Sequence, residues 1–183
     1  MRTFIGTDFN RDIRDSIAGI QHIVRENSEK GRFKYVGNFH LTLKFLGEVQ
    51  QGKTADIGRS LKGIASKHRK IHLNIDKIGY FDGKGKIHAL WLGFSGELDK
   101  LSSLYLDIDE EMYRLGIKKE IKAYTPHITI AQDLILKIPF EKLKEKVDFQ
   151  SFRTVEIKEI SLVKSEEVGG KRIYTPISTF GLK

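Results

Sequence analysis

Two pairs of strand-like segments, each broken by glycine, limit what this chain can fold into. His72–Phe81 and Lys86–Phe94 are separated by Asp82-Gly83-Lys84-Gly85, and Val155–Ser165 and Arg172–Phe180 flank Gly169-Gly170. A short glycine-rich connection turns a strand back beside its predecessor, because glycine takes the positive φ that tight hairpins demand. Strands joined this way are antiparallel, which argues against a doubly wound parallel sheet. Helical periodicity fills the intervals. Ile13, Ile17, Ile20 and Val24 recur at helical spacing after Asn10 and Asp12, two candidate caps, and Ile57, Leu61 and Ile64 mark a second helix over Thr54–Lys70. The clearest helix is Glu97–Leu115, with Leu98, Leu101, Leu104, Ile108, Met112 and Leu115 on one stripe and Gly116 as its C-terminal cap. Further strands are expected at Arg2–Phe9, Phe39–Leu46 and Ala123–Gln132, and a short helix at Phe140–Val147. The sum is an α+β chain with antiparallel sheets.

With 183 residues, the chain is sized for a single domain that buries a substantial core without metal or disulfide staples. It has no cysteine, which excludes thiolate catalysis, disulfides and cysteine-ligated metal. No apolar run approaches a membrane span, and Met1–Phe9 goes straight into a strand-like stretch rather than a signal peptide. A cytoplasmic, monomeric protein without membrane contact is expected. Thirty-two Lys and Arg against 24 Asp and Glu leave a net charge of +8, which favours RNA, DNA or a phosphorylated small molecule as partner.

The chain also echoes itself. Phe39-His40-Leu41-Thr42-Leu43 in the first half answers Pro126-His127-Ile128-Thr129-Ile130 in the second. Each copy falls on an expected strand, which suggests two similar lobes facing each other. Because strand side chains alternate, His40 and Thr42 must project together while Leu41 and Leu43 pack behind, and the same holds for His127 and Thr129. The other histidines do not share the pattern: His22 and His88 are expected to be structural or surface residues, and His68 and His72 flank a helix-to-strand turn.

Two imidazoles and two hydroxyls converging on one cleft suit phosphodiester cleavage. In-line displacement at phosphorus needs a base on the entering oxygen and an acid on the leaving oxygen, on opposite sides, and histidine titrates where it serves as either. The threonine hydroxyls are placed to hold charge on the non-bridging oxygens. Two histidines without a carboxylate at ligand spacing make a poor metal site, so no metal or cofactor is expected.

His40-Leu41-Thr42-Leu43 and His127-Ile128-Thr129-Ile130 resemble the doubled signature of the two-histidine phosphoesterases, and more closely their RNA 2′,3′-cyclic phosphodiesterase branch, also known as 2′-5′ RNA ligases. Arg2-Thr3-Phe4-Ile5-Gly6, Phe39–Val49, Leu90-Trp91-Leu92-Gly93 and Tyr174-Thr175-Pro176 extend the resemblance along the chain. It implies a bilobal α+β fold with two antiparallel sheets and flanking helices around a central cleft, related by a pseudo-two-fold. It also implies metal-independent opening of RNA 2′,3′-cyclic phosphate ends to 2′-phosphomonoesters, with His40 as proton donor to O3′, His127 as proton acceptor from water, and Thr42 and Thr129 on the phosphate. The residues themselves do not order the two histidine roles. Related chains often carry arginine shortly after the second motif, where this one has Ala131-Gln132. Gln132 is then a weaker, uncharged substrate contact, and Lys44, on the face of His40 by alternation, is a candidate to supply the charge. Tyr35, Phe39 and Tyr124 are candidates to stack on a base or line the cleft, whereas Trp91 is expected inside.

Two rival readings share or replace this chemistry. A 2′-5′ ligase would use the same site with a 5′-hydroxyl in place of water, acting reversibly and without ATP, since no Walker-type loop is present. A non-catalytic module binding RNA ends would use the histidines only to grip phosphate, but the aromatic strand signature of an RNA recognition motif is lacking.

Overall fold

A computed structural model of all 183 residues contains nine strands in two antiparallel sheets, with four α-helices packed on them. In chain order the elements are β1 (Arg2–Asp8), α1 (Arg11–Glu26), β2 (Ser28–Phe33), β3 (His40–Glu48), α2 (Thr54–Ala65), β4 (Ile71–Gly83) and β5 (Lys86–Gly96). They continue with α3 (Leu98–Arg114), β6 (His127–Leu136), α4 (Phe140–Lys146), β7 (Val155–Ile157), β8 (Glu159–Val168) and β9 (Lys171–Gly181). One sheet runs β3-β1-β8-β9 and the other β2-β6-β5-β4-β7.

Local chemistry sets the punctuation. The Asn10 side chain accepts from the Ile13 amide at 3.0 Å, so Asn10 rather than Asp12 caps α1. Gly116 takes φ +83°, its amide donates to Tyr113 and the Ile117 amide to Met112, which is the Schellman closure that ends α3. Gly85 has φ +70° in the β4–β5 hairpin. Gly169 and Gly170 take φ +56° and +75°, the paired positive values of the mirror-image turn that matches strand twist between β8 and β9.

Three expectations need correction. Val155–Ser165 is not one strand: it breaks at Lys158, and β7 joins β4 in one sheet while β8 joins β1 in the other. The strand expected from Ala123 begins only at His127, after Pro126, and continues to Leu136. β2 has no counterpart among the expected strands. Its sequence, Ser-Glu-Lys-Gly-Arg-Phe, lacks apolar alternation, and it is held as an edge strand by pairing with β6.

Both sheets contribute to a single cluster of 36 buried apolar side chains. Leu41 and Leu43 of β3 and Ile128 and Ile130 of β6 are completely or almost completely buried in it, which anchors the backs of the two motif strands. No helix is long and apolar enough to cross a membrane.

Candidate active site

β3 is the edge strand of its sheet. β6 is flanked by β2, but that pairing ends at Ala131, so the stretch carrying His127 and Thr129 is free on that side. The two free stretches lie against each other, which brings the two His-x-Thr motifs to one cleft between the sheets. His40, Thr42, His127 and Thr129 are each half-buried, alternating with the fully buried apolar residues behind.

The two histidines are locked in the same way. His40 Nδ1 lies 2.7 Å from the Asn38 carbonyl, and His127 Nδ1 lies 2.7 Å from the Thr125 carbonyl, each two residues upstream. A carbonyl only accepts, so both Nδ1 atoms carry a proton and both Nε2 atoms are left for chemistry. His40 Nε2 meets the Thr42 hydroxyl at 2.9 Å. Burial pushes the pKa of both rings below the usual imidazole value of 6.5. For His40 the bond to Asn38 and the charge of Asp8 act upward, while Lys34 and His127 act downward. His127 is thus near enough to act against protonation of His40.

Aromatic rings wall both imidazoles. Phe4 and Tyr174 stand 4.7 and 5.0 Å from the His40 ring, and Phe81 and Trp91 stand 5.3 and 6.3 Å from that of His127. Trp91 is therefore not inside, as its strand position suggested. It pairs across from Thr129, on the cleft face, and its indole lies over Gly79 and Gly93, where a Cβ would collide with the ring or crowd it. Phe4, Asp8, Phe81 and Tyr174 were missed by sequence reasoning. The signal that finds them is cross-strand register, such as Asp8 opposite His40, and register is visible only once the strands are paired.

Lys44 does not supply charge to the cleft. Opposite Ile5 and Gly6 of β1, β3 carries three residues, Lys44, Leu43 and Thr42, so Leu43 is an unpaired bulge and the alternation slips. Lys44 turns inward, its side chain fully buried, where its ammonium bonds Asp109 of α3 and donates to the Lys118 carbonyl at 2.9 Å. Exposed Phe45 takes the cleft face instead. β6 repeats the device: Ile130 is unpaired between Trp91 and Leu90, Ala131 is buried and Gln132 emerges half-buried. Lys44 and Phe45 thus correspond to Ala131 and Gln132.

The remaining candidates divide. Phe39 is fully buried in the core and leaves no ring face for a base, a further correction. Tyr35, 74% exposed, and Gln132 share a groove beside the cleft. Tyr124 lines the cleft mouth with Thr42 and His127; its hydroxyl donates to the Thr42 carbonyl at 3.1 Å and its ring stacks on Tyr105 at 4.1 Å. His88 is exposed at the same mouth, whereas His22, His68 and His72 pair with Glu26, Asp107, and Glu97 and Glu156.

A family model described as LigT-like phosphoesterase matches residues 8–91, which includes His40 and Thr42 and stops before the second motif. The chain is 33% identical to the RNA 2′,3′-cyclic phosphodiesterase of Methanocaldococcus jannaschii over 97% of its own length and 98% of that protein's. It is 32% identical to the protein of the same name from Thermotoga maritima over 81% of this chain and 79% of that one. Among solved structures, Escherichia coli LigT complexed with 3′-AMP superposes with a TM-score of 0.79 at 25% identity, covering 99% of this chain and 97% of that one. With the paired His-x-Thr strands and near-complete coverage by the Methanocaldococcus relative, the chain belongs to the LigT-like phosphoesterase family.

Proposed function

We propose that the chain hydrolyses RNA ends bearing a 2′,3′-cyclic phosphate to 2′-phosphomonoesters, using His40 and His127 as an acid–base pair without a metal. The observation that carries this reading is the matched tautomer lock, which directs two Nε2 atoms of one kind at a shared cleft. It is supported by relatives named RNA 2′,3′-cyclic phosphodiesterase and by the 3′-AMP held by E. coli LigT.

His127 Nε2, neutral, takes a proton from water as the water oxygen bonds to phosphorus. The P–O3′ bond breaks on the opposite side, and protonated His40 gives its Nε2 proton to O3′. The product is a 2′-phosphate beside a free 3′-hydroxyl. Thr129 and Thr42 donate to the non-bridging oxygens, where the transition state concentrates charge.

The His40–Thr42 bond couples protonation to anion binding. While His40 is neutral, Nε2 is an acceptor and the Thr42 hydroxyl spends its one proton on it. Once His40 is protonated, Nε2 can no longer accept, so the Thr42 proton is released for phosphate and Nε2–H is left for O3′. The protonated acid and the anion-ready hydroxyl arise together.

The test is turnover of an oligoribonucleotide ending in a 2′,3′-cyclic phosphate, with EDTA present. The expected product carries a 2′-phosphate and forms at the same rate without EDTA. A 3′-phosphate product, or loss of turnover on chelation with recovery on adding metal, would contradict the proposal.

A further inference from the structure

The cleft opens at two mouths of different chemistry. One, past Thr42 and His127, is bordered by Phe45 and Phe81 with charges of both signs in Lys122, Glu120 and Asp82. The other, past Asn38, is a groove between the turn after β2 and the β8–β9 hairpin, with Arg25, Arg32, Lys34, Lys171 and Arg172 among its lining residues and no acidic side chain among them. Its cavity volume is about 780 Å³, within the roughly 300–1,000 Å³ of a small-molecule pocket, so its basic lining rather than its size marks it out.

These cations are only partly neutralised. Arg32 Nε reaches Asp133 at 2.8 Å, and Arg172 lies 3.6 Å from Glu167, but Lys34 and Lys171 make no ion pair. Arg25 stacks over Phe33, 4.0 Å from the ring centre. Lys34 is held in place because buried Gln21 donates to the carbonyls of Lys34 and Ile130, both at 2.8 Å. Burial lowers the Lys34 pKa, and the neighbouring charges of Arg32 and Arg172 lower it further.

The groove joins the reaction centre through one residue. Asn38 accepts from His40 Nδ1 with its carbonyl and donates with its side chain to the Arg172 carbonyl at 2.8 Å. An anion chain leaving the cleft past His40 therefore enters the basic groove directly, and meets exposed Tyr35 on the way.

Resting on the proposed reaction, we infer that this groove holds the single-stranded RNA running 5′ from the cyclic end, its phosphodiesters on Lys34, Lys171 and Arg172 and one base on Tyr35. Backbone phosphates spaced along a flexible strand suit a row of cations of which Lys34 and Lys171 are unpaired, and an exposed aromatic ring is a stacking platform any base accepts. Gln132, on the groove wall, adds an uncharged contact.

The experiment compares the wild type with a Lys171→Ala/Arg172→Ala variant, altered at the hairpin tip and clear of both histidines. Two readouts keep this inference separate from the reaction. The first is fluorescence anisotropy of a labelled single-stranded oligoribonucleotide ending in a 2′-phosphate, titrated across salt concentrations. The variant should bind roughly ten-fold more weakly at moderate salt, and the slope of log affinity against log salt should fall by about 1.4, the loss of two phosphate contacts. The second is kcat/KM on a cyclic-phosphate oligonucleotide and on a mononucleoside 2′,3′-cyclic phosphate. The variant should lose activity on the first by a similar factor and keep it on the second. Unchanged affinity and salt slope would overturn the groove assignment, as would equal losses on both substrates or tighter binding of an acidic peptide of matched charge. If the wild type turned over neither substrate, the reaction would fall while the binding measurement still decided the groove.

Discussion

Two backbone carbonyls determine which nitrogen of each catalytic candidate is free. The Asn38 and Thr125 carbonyls hold the Nδ1 protons of His40 and His127, and so commit both Nε2 atoms to the cleft. Burial then makes the imidazolium form costly at both sites. The sign matters for the pH profile. A depressed pKa means that protonation demands a lower pH, and the proposed reaction needs one ring protonated and the other neutral. At His40 the neighbouring His127 acts in the same direction. The expected kcat/KM profile is therefore a bell whose maximum lies on the acid side of 6.5. A pH–rate series on the cyclic-phosphate oligonucleotide checks this, and an optimum above pH 7 would contradict it. At this scale the sequence was legible: repetition of His-x-Thr on two strands picked out the four residues that the fold brings to one cleft. The carbonyl locks and aromatic walls were not legible, because they depend on the path of the backbone before each motif and on partners up to 134 residues away, such as Tyr174 against His40.

Among the elements, the matched bulges of β3 and β6 decide which side chains reach the cleft beyond each motif. An extra residue, Leu43 or Ile130, shifts the alternation by one, so Lys44 and Ala131 turn into the protein and Phe45 and Gln132 turn out. Strict period-2 counting places Lys44 in the cleft, and nothing in its local sequence announces the slip. The bulge instead makes Lys44 a tie between β3 and α3 through Asp109, with a second bond to the Lys118 carbonyl. Its ammonium is wholly buried, so removing the partner leaves an uncompensated charge. Asp109→Ala should cost about 3–5 kcal/mol of unfolding free energy, measured by denaturant titration. A loss below ~1 kcal/mol would show that this ion pair does not anchor the strand. β2 illustrates the other limit of local reading. It is a polar edge strand specified by its partner rather than by its own pattern, and its pairing ends before the stretch of β6 that carries His127 and Thr129.

Across the whole molecule, hairpins and helical stripes were enough to give an α+β fold with antiparallel sheets, and the internal echo was enough to suggest two facing halves. Which sheet each strand joins was not readable. Val155–Ile157 and Glu159–Val168 look continuous, yet they part at Lys158 to serve different sheets. The pseudo-symmetry extends further than the motif. Each histidine has a carbonyl lock, two aromatic neighbours and a bulge downstream, while the bond from His40 Nε2 to Thr42 has no counterpart at His127. A pair that acts as a unit should fail as a unit. The most direct measurement is kcat/KM on the cyclic-phosphate oligonucleotide for His40→Ala, His127→Ala and the double variant, each confirmed folded by its unfolding midpoint. Each single substitution should lower the rate by about 10²–10⁴-fold, with the double variant little worse than the more damaging single one. Either single variant retaining activity within a few-fold of the wild type would contradict the two-histidine account.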